Sequence, residues 1–569
     1  MRAPGLSRDG VVPLVGVDGA RAADAAAEAA GVPRAALMAR AAGHLARTAL
    51  AVAGRAHGLR VDVVVGPGDN GGDGWAVAPL LAAAGAHVRV VVPDGVGAPR
   101  STAGASAREA WLAAGGRTVG LGGAGPWPDL VLDCLLGTGA TGPLRGGIPA
   151  ATAWISAARA AGARIVACDV PTGVDADTGA VVTGAVVAAA PVPFGAPRPG
   201  RVLHPGAGPP GRVHIGRLGA AHPCDPLGSR WGVLDADGAR PEPVAVDAEK
   251  RRRGTVLVVA GRVGASGAAA LAARGALAAG AGLVRVAVPE PVRAEVAAHH
   301  PAPMVVGLPA DADGALHPDA VHALVPHLDD VDAVVAGPGL GLGPGAAAVV
   351  AALLARPGVL VLDADALNLH RDGTAPLAGH PGLLVLTPHE RELARLAGAD
   401  VDRVTAAPDL AVALGAVVVA KGPGTLVAGP DGTVLVEPPG ASALATGGTG
   451  DVLAGMIGAA LARAARVEPG GGGAADAEVG AAESDALRTV ARAVRWHAVA
   501  GRRAGGPAGR TAAAALAASV PAALDACAAA PGPLDRGPAG RVAMDELLGV
   551  AATAATAASV VPTRPAVSA

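Results

Sequence analysis

Val61-Asp-Val-Val-Val65 runs directly into Gly66-Pro-Gly-Asp-Asn-Gly-Gly-Asp-Gly74. The first stretch is short and β-branched, as a buried strand requires. The second is a glycine-rich loop, and the Ala/Leu segment that follows reads as a helix to about residue 84. Val88 to Val92 is another apolar run. Strand, loop, helix and strand in that order form a βαβ unit on a parallel sheet. Pro79 falls inside the proposed helix and is expected to kink or shorten it.

Working outward, residues 20–57 read as helical, with few breakers after Pro33. Downstream, Leu130–Leu132 and Ile165–Ala167 are short apolar strands, each ending at an Asp. Open α/β sheets bind ligands at the carboxyl ends of their strands, so Asp133 and Asp169 are candidate site residues. Residues 196–250 are rich in Pro and Gly and are expected to contain a domain boundary. A second α/β alternation follows, with strands expected at 255–260, 283–288, 333–336, 359–362, 383–386 and 416–420. Residues 467–486 read as a flexible insertion and the chain from about 529 as a Pro/Ala-rich tail, with one short helix at Met544–Leu548.

At 569 residues the chain exceeds one hydrophobic core. Its net charge of −2 suits neither a nucleic-acid binder nor a membrane-surface binder. The four cysteines, Cys134, Cys168, Cys224 and Cys527, have no metal-ligand spacing. With no signal-peptide pattern or membrane span in evidence, a reducing cytoplasmic setting is expected. The chain has no Tyr, one Phe and only two each of Lys and Asn. Under such compositional bias a retained Lys421 or Asn70 marks chemistry, whereas Lys250 joins Arg251–Arg253 in a solvated run.

In the first half, GxGxxG alone is weak evidence for a dinucleotide and equally describes a tight turn. The continuation Asn70-Gly-Gly-Asp73 adds an amide oxygen and a carboxylate beside exposed backbone N–H groups at a helix start. Those amides suit phosphate and the oxygens suit a hard cation. Asp133-Cys-Leu-Leu-Gly-Thr-Gly139 supplies a second glycine loop, and Asp169-Val-Pro-Thr-Gly173 a third strand end. Asn70, Asp133 and Thr172 are candidate cation ligands, with Asp169 left for acid/base work; each alone could be a turn or helix cap.

This ordered set, GxGxNGGDG, DxxxGTG and DxPTGVDADTG, resembles the YjeF N-terminal family of NAD(P)H-hydrate epimerases over about residues 18–215. The resemblance implies a Rossmann-like three-layer fold and K+ held by Asn70, Asp133 and Thr172. It implies substrate contacts from Asp69, Asn70, Gly71, Gly72, Asp73, Gly137, Thr138, Gly139 and the catalytic Asp169. Asp69 stands where the family has Asn, Pro191 and Pro193 replace two hydroxyl residues, Thr172 stands where Ser is usual, and Arg198 where Lys is common.

In the second half, Thr446-Gly-Gly-Thr-Gly-Asp-Val-Leu-Ala-Gly455 places small residues before an Asp that opens a helix. Backbone N–H groups of Gly448 to Gly450 suit developing phosphoryl charge, and Asp451 suits proton abstraction from an attacking hydroxyl. Lys421-Gly-Pro-Gly-Thr425 follows a Val-rich strand and fits nucleotide phosphates. Gly337-Pro-Gly-Leu-Gly341 and Thr387-Pro-His389 also end strands.

Together with Gly264-Ala-Ser-Gly-Ala268 and Asp363-Ala-Asp-Ala-Leu-Asn368, these motifs resemble the ADP- or ATP-dependent NAD(P)H-hydrate dehydratases, a ribokinase-like α/β family, over about residues 250–525. By resemblance, Ala268, Gly341, His389 and the catalytic Asp451 contact the hydrate. Lys421, Gly422, Pro423, Gly424, Thr425 and Gly450 contact ADP or ATP, with Mg2+ balancing charge. Glu390-Arg391 stand where that family has Pro-Gly. The expected plan is an epimerase domain (1–225), a linker (226–249), a dehydratase domain (250–528) and a tail (529–569). The substrates are NADHX and NADPHX, and a homo-oligomer is expected. A small-molecule kinase, a nicotinamide dehydrogenase or an inactive scaffold are the rival readings; the first would use the same Asp and glycine loop but keep its phosphorylated product.

Overall fold

The computed structural model describes residues 10–123, 126–207, 215–219, 221–244, 247–398, 402–466, 478–506 and 509–529. The glycine-rich stretch from 467 to 477, the tail from 530 and the expected helix at Met544–Leu548 lie outside these residues.

The first sheet is wholly parallel and six-stranded. Its order is Thr118–Val119, His87–Val91, Arg60–Val65, Leu130–Cys134, Arg164–Cys168, Ala190–Val192. Helices Arg34–Ala53 and Asp69–Ala83 cover one face, and Ile148–Ala160 covers the other, giving the expected three layers. The central strand Arg60–Val65 is buried on both faces, which is why it is Val-rich rather than alternating; its one buried charge, Asp62, is held by Arg89 of the neighbouring strand at 2.6 and 2.7 Å. Helix Asp69–Ala83 continues through Pro79 instead of stopping there. Burial of Trp75, Val77, Ala78 and Leu81 against the sheet outweighs the one hydrogen bond that Pro79 forfeits.

The second sheet has eleven strands. From Met304–Leu308 the order runs through Leu283–Pro289, Thr255–Val259, Ala333–Ala336, Val359–Leu362, Leu383–Leu386 and Val417–Ala420, all parallel. Thr425–Ala428 and Val434–Glu437 continue it as antiparallel hairpin strands. The expected linker does not stay a linker: Trp231–Leu234 adds a strand beside Val434–Glu437. Val11–Pro13, from the expected first domain, pairs antiparallel with it at the sheet's edge. Trp231–Leu234 thereby takes a hydrogen-bond partner from the second half of the chain, and Val11–Pro13 takes its partner from the expected linker. The end of the expected insertion is also structured, since a helix begins at Glu478.

Both halves share one core. Leu14, Val202, Leu203 and Ile215 of the first half pack in the same cluster as Ala420, Leu426 and Val436 of the second. No helix among the described residues is long and apolar enough to cross a membrane.

Candidate functional sites

In the first half, Asp69, Asn70, Asp73, Gly137, Thr138, Gly139 and Asp169 line one cavity of about 790 Å³ at the carboxyl ends of the strands. Arg21, Arg34, Arg100 and Arg198 bring positive charge to the same walls. Gly71 and Gly72, expected among the substrate contacts, are packing positions and are not part of the lining. A Cβ on Gly71 would strike the Gly66 carbonyl, and one on Gly72 would lie 2.5 Å from the Met38 methyl.

Asp133 and Thr172 sit below the cavity floor, both fully buried. Asp133 accepts from the Thr172 N–H at 2.8 Å and from its hydroxyl at 2.7 Å. Burial nevertheless pushes the Asp133 carboxyl up to about 6. Asn70 donates its amide to the carbonyls of Leu136 (2.9 Å) and Cys168 (2.8 Å), an orientation that leaves its Oδ1 as acceptor beside Gly137. Asn70 Oδ1 and the Asp133 carboxylate are oxygen acceptors, and the Thr172 hydroxyl, which donates to Asp133 and accepts from the Leu136 N–H at 3.1 Å, joins them around a buried carboxylate whose charge lacks a full counterpart. That donor set fits a hard monovalent ion.

Asp169 adopts φ +59, a left-handed conformation that costs a non-glycine residue about 1–3 kcal/mol and is typical of functional positions. Arg198 reaches its Oδ1 with Nε and Nη2, each at 3.3 Å. Both side chains are buried. Asp73 has no such cation. Burial first, and then the neighbouring Asp169, Asp69 and Asp24, hold it well above the carboxylate range. A carboxyl whose burial favours the protonated form and a carboxylate held by Arg198 therefore line the same cavity. Asp69, the departure from Asn, lies 3.8 Å from Arg34 Nη1, which offsets its charge. The sequence reading missed Arg34 because its motif position carries no signature. Asp73 it read as a substrate contact without its perturbed acidity, which depends on burial.

In the second half, helix Thr449–Ala464 opens on Gly448 at φ +88 and places Asp451 in its first turn. Burial, then the nearby Asp363, raise the Asp451 carboxyl to about 7, with Lys421 acting in the opposite direction. Lys421 Nζ donates to Asp363 Oδ1 at 2.7 Å, and the Thr387 hydroxyl donates to the same oxygen at 2.7 Å. Gly450 faces this pair: a Cβ there would stand 3.4 Å from Lys421 Nζ. Asp363, quoted in a motif but given no role by the sequence, is the buried counter-ion that holds Lys421. Its signal was the strand end it occupies. Ala364, the next residue, has φ +50.

His389 bridges to Lys421 across adjacent strand ends. Its Nδ1 accepts from the N–H groups of Arg391 (3.1 Å) and Glu392 (3.3 Å), while Glu392 accepts from the His389 N–H at 2.8 Å. This capping box fixes Nδ1 as acceptor, so the neutral ring carries its proton on Nε2. Burial, with Lys421 and Arg395 nearby, lowers its basicity and keeps it neutral. Gly341 N–H donates to Asp365 at 2.8 Å, and Ala268 packs under Gly339. The expected hydrate contacts Ala268, Gly341, His389 and Asp451 thus stand around Asp363–Asp365. Lys421 and Gly450 border the same carboxylate cluster, whereas Gly422 faces Arg403 and Gly424 faces Val202–His204. Arg403, absent from the sequence reading, donates to the Pro423 carbonyl at 2.8 Å from the start of a neighbouring helix.

Comparison with known proteins accords with this geometry. Residues 34–200 match the family described as YjeF-related protein N-terminus, and residues 256–521 match the family described as NAD(P)H-hydrate dehydratase. A bifunctional NAD(P)H-hydrate repair enzyme of Mycobacterium tuberculosis is 40% identical over 454 residues, covering 78% of this chain and 88% of that protein. One from Moorella thermoacetica is 37% identical over 427 residues, covering 71% of this chain and 79% of that protein. Among solved structures, an ADP/ATP-dependent NAD(P)H-hydrate dehydratase of Bacillus subtilis, co-crystallised with ATP and Mg2+, is 26% identical with a TM-score of 0.40. That match covers 51% of this chain and 95% of the other.

Proposed function

This chain belongs to the bifunctional NAD(P)H-hydrate repair enzymes, and we propose that its two sites divide the work between Asp169 and Asp451. It repairs hydrated NAD(P)H, the first half epimerising the hydrate and the second half dehydrating it. The single observation that carries the division of labour is the raised Asp451 carboxyl at a glycine-opened helix N-terminus, next to the Lys421–Asp363 pair.

Hydration puts a hydroxyl on C6 of the nicotinamide ring, and hydroxide is a poor leaving group. Asp451 accepts the proton of that hydroxyl as its oxygen attacks the terminal phosphoryl of ADP or ATP. The P–O bond to the leaving nucleotide breaks, giving AMP or ADP. The ring nitrogen lone pair then expels phosphate from C6, and loss of the C5 proton restores the dihydronicotinamide. Lys421 and the N–H groups of Gly448–Gly450 stabilise the phosphoryl oxygens, and His389 donates to the hydrate from Nε2, which in the free protein lies 3.4 Å from Glu392 Oε1. Mg2+, bound with the nucleotide, supplies further charge balance.

This chemistry uses the S epimer. In the first half, R is converted to S by breaking and re-forming the C6–O bond: Asp73, whose burial favours its protonated form, protonates the C6 hydroxyl as the ring nitrogen lone pair expels water, and that water re-adds to the other face of the C6 iminium while Asp169 takes its proton. Asn70, Asp133 and Thr172 would hold K+, which offsets the buried Asp133 charge and steadies the Gly137–Gly139 loop. The buried, paired Arg198 sets the Asp169 carboxylate in place. A cytoplasmic, homo-oligomeric enzyme acting on NADHX and NADPHX is the corresponding setting. Purified R and S hydrates separate the roles. Asp451→Asn should stop dehydration of S while R and S still interconvert, and Asp169→Asn should do the reverse. Dehydration surviving in Asp451→Asn would remove the role assigned to it.

A further inference from the structure

Segment Arg198–His204 belongs to the first half of the chain and touches both sites. At one end Arg198 holds Asp169. The same guanidinium donates to the Val15 carbonyl at 3.3 Å, and Val15 N–H donates to Pro197 O at 2.9 Å. Val15 lies two residues past the edge strand Val11–Pro13 of the large sheet. At the other end, Gly424 of the loop Lys421–Thr425 rests on the backbone of Val202–His204. Its φ is +74, and a Cβ there would stand 3.0 Å from Val202 O and 3.6 Å from His204 N.

The stretch between is a packed element rather than a slack linker. Pro199–Arg201 forms a single 3-10 turn, buried throughout. Arg201 N–H bonds Arg198 O at 3.1 Å, and Val202 N–H bonds Pro199 O at 3.0 Å. The Arg201 guanidinium ties the turn onward to the carbonyls of Gly206 and Ala207. Val202 and Leu203 share a core with Ala420 and Leu426, the residues that flank the Lys421–Thr425 loop on its two strands. A displacement of Gly424 is therefore resisted by Val202 O on one side, and by close packing that transmits strain on the other.

We propose that nucleotide occupancy of the Lys421–Thr425 loop is transmitted through Arg198–His204 to Asp169, so that the two sites are thermodynamically coupled. This rests on the nucleotide reading of that loop given above. As the loop closes its backbone and Lys421 onto phosphate, Gly424 is pressed against or drawn from Val202. The rigid turn carries that change to Arg198, whose guanidinium sets the Asp169 carboxylate. Coupling of this kind is reciprocal, and a typical size is about fivefold or more in apparent affinity.

Two measurements on the full chain test it. The first is hydrogen–deuterium exchange with and without ADP and Mg2+, read in peptides covering 421–425 and 198–204. The second is the KM for epimerisation, with and without ADP and Mg2+, in the Asp451→Asn chain, where dehydration does not drain the S epimer. The expected result is slower exchange in both peptides and an epimerisation KM moved about fivefold. Protection confined to 421–425, or an epimerisation KM unmoved by ADP, overturns the coupling. Absence of protection at 421–425 with either ADP or ATP overturns instead the nucleotide reading on which the coupling stands.

Discussion

Asp451→Asn should destroy dehydration and at the same time make the protein more stable at alkaline pH. The reason lies in the raised carboxyl, about 7 against an ordinary value of 3.8. Between those two values the folded chain binds a proton that the unfolded chain has already released. Unfolding free energy therefore falls as pH rises through this window. Each pH unit of the window is worth about 1.4 kcal/mol, so the penalty of carrying the ionised carboxylate above pH 7 has a ceiling of roughly 4 kcal/mol. Asp451 keeps some contact with solvent, and about 2–4 kcal/mol is the expected range. Asn has nearly the same shape and no charge, so it removes the penalty. Thermal unfolding of the two proteins at pH 8 should separate them by roughly 4–16 °C in the transition that includes the second half, with the variant higher. At pH 4 the difference should vanish, because Asp451 is protonated in the folded protein. In the unsubstituted chain, kcat/KM for dehydration should fall about tenfold per pH unit below 7, as the free enzyme's base becomes protonated. A variant no more stable than the parent at pH 8, together with a kcat/KM flat from pH 8 to 6, would refute both the raised carboxyl and its role as base.

Asp133 is raised to about 6, and K+ needs its carboxylate ionised, so the K+ concentration for half-maximal epimerisation should climb about fivefold from pH 6 to pH 5 and stay level above pH 7. An unchanged K+ requirement over that range would remove Asp133 from the cation site. Arg198→Met strands Asp169 in a buried setting, and equilibrium unfolding should show a loss of about 3–5 kcal/mol in the first half, with epimerisation lost and dehydration of pure S hydrate retained. Gly448→Ala forces a side chain into φ +88, 2.6 Å from Leu271 Cδ1, and should cost about 1–3 kcal/mol in thermal unfolding while raising the nucleotide KM. Asp69→Asn breaks only an exposed 3.8 Å contact with Arg34, so unfolding should shift by less than about 0.5 kcal/mol.

Much of the sheet scaffold was legible because parallel strands buried on both faces are written as unbroken Val/Leu runs. Ala333–Ala336, Val359–Leu362 and Leu383–Leu386 coincide with the expected strands. The strands that escaped were set by partners rather than by their own composition. Val11–Pro13 and Trp231–Leu234 exist because each supplies the other's hydrogen bonds at the edge of the second sheet. Val434–Glu437 follows a tight turn at Asp431 that its sequence surroundings disguised as loop. The candidate site residues were legible where a motif fixes backbone geometry, as at Gly448–Asp451 and Lys421–Thr425. Gly71 and Gly72 also serve close packing that the motif alone does not reveal, the first against the Gly66 carbonyl and the second against Met38 and Gly104. Perturbed acidities at Asp73 and Asp451 were not legible, since they arise from burial and from carboxylates far apart in sequence. The insertion of the first half's 202–204 backbone beneath Gly424 was equally invisible, because nothing local at either segment signals the other.

The most direct test of two working sites is recovery of reduced-nicotinamide absorbance from a mixed R and S hydrate preparation, with the full chain, K+, Mg2+ and ADP or ATP. The account predicts recovery of the whole preparation, because R is fed to the dehydratase as S is consumed. Recovery stopping at the S fraction would contradict an active first half, and no recovery with either nucleotide would contradict the account as a whole.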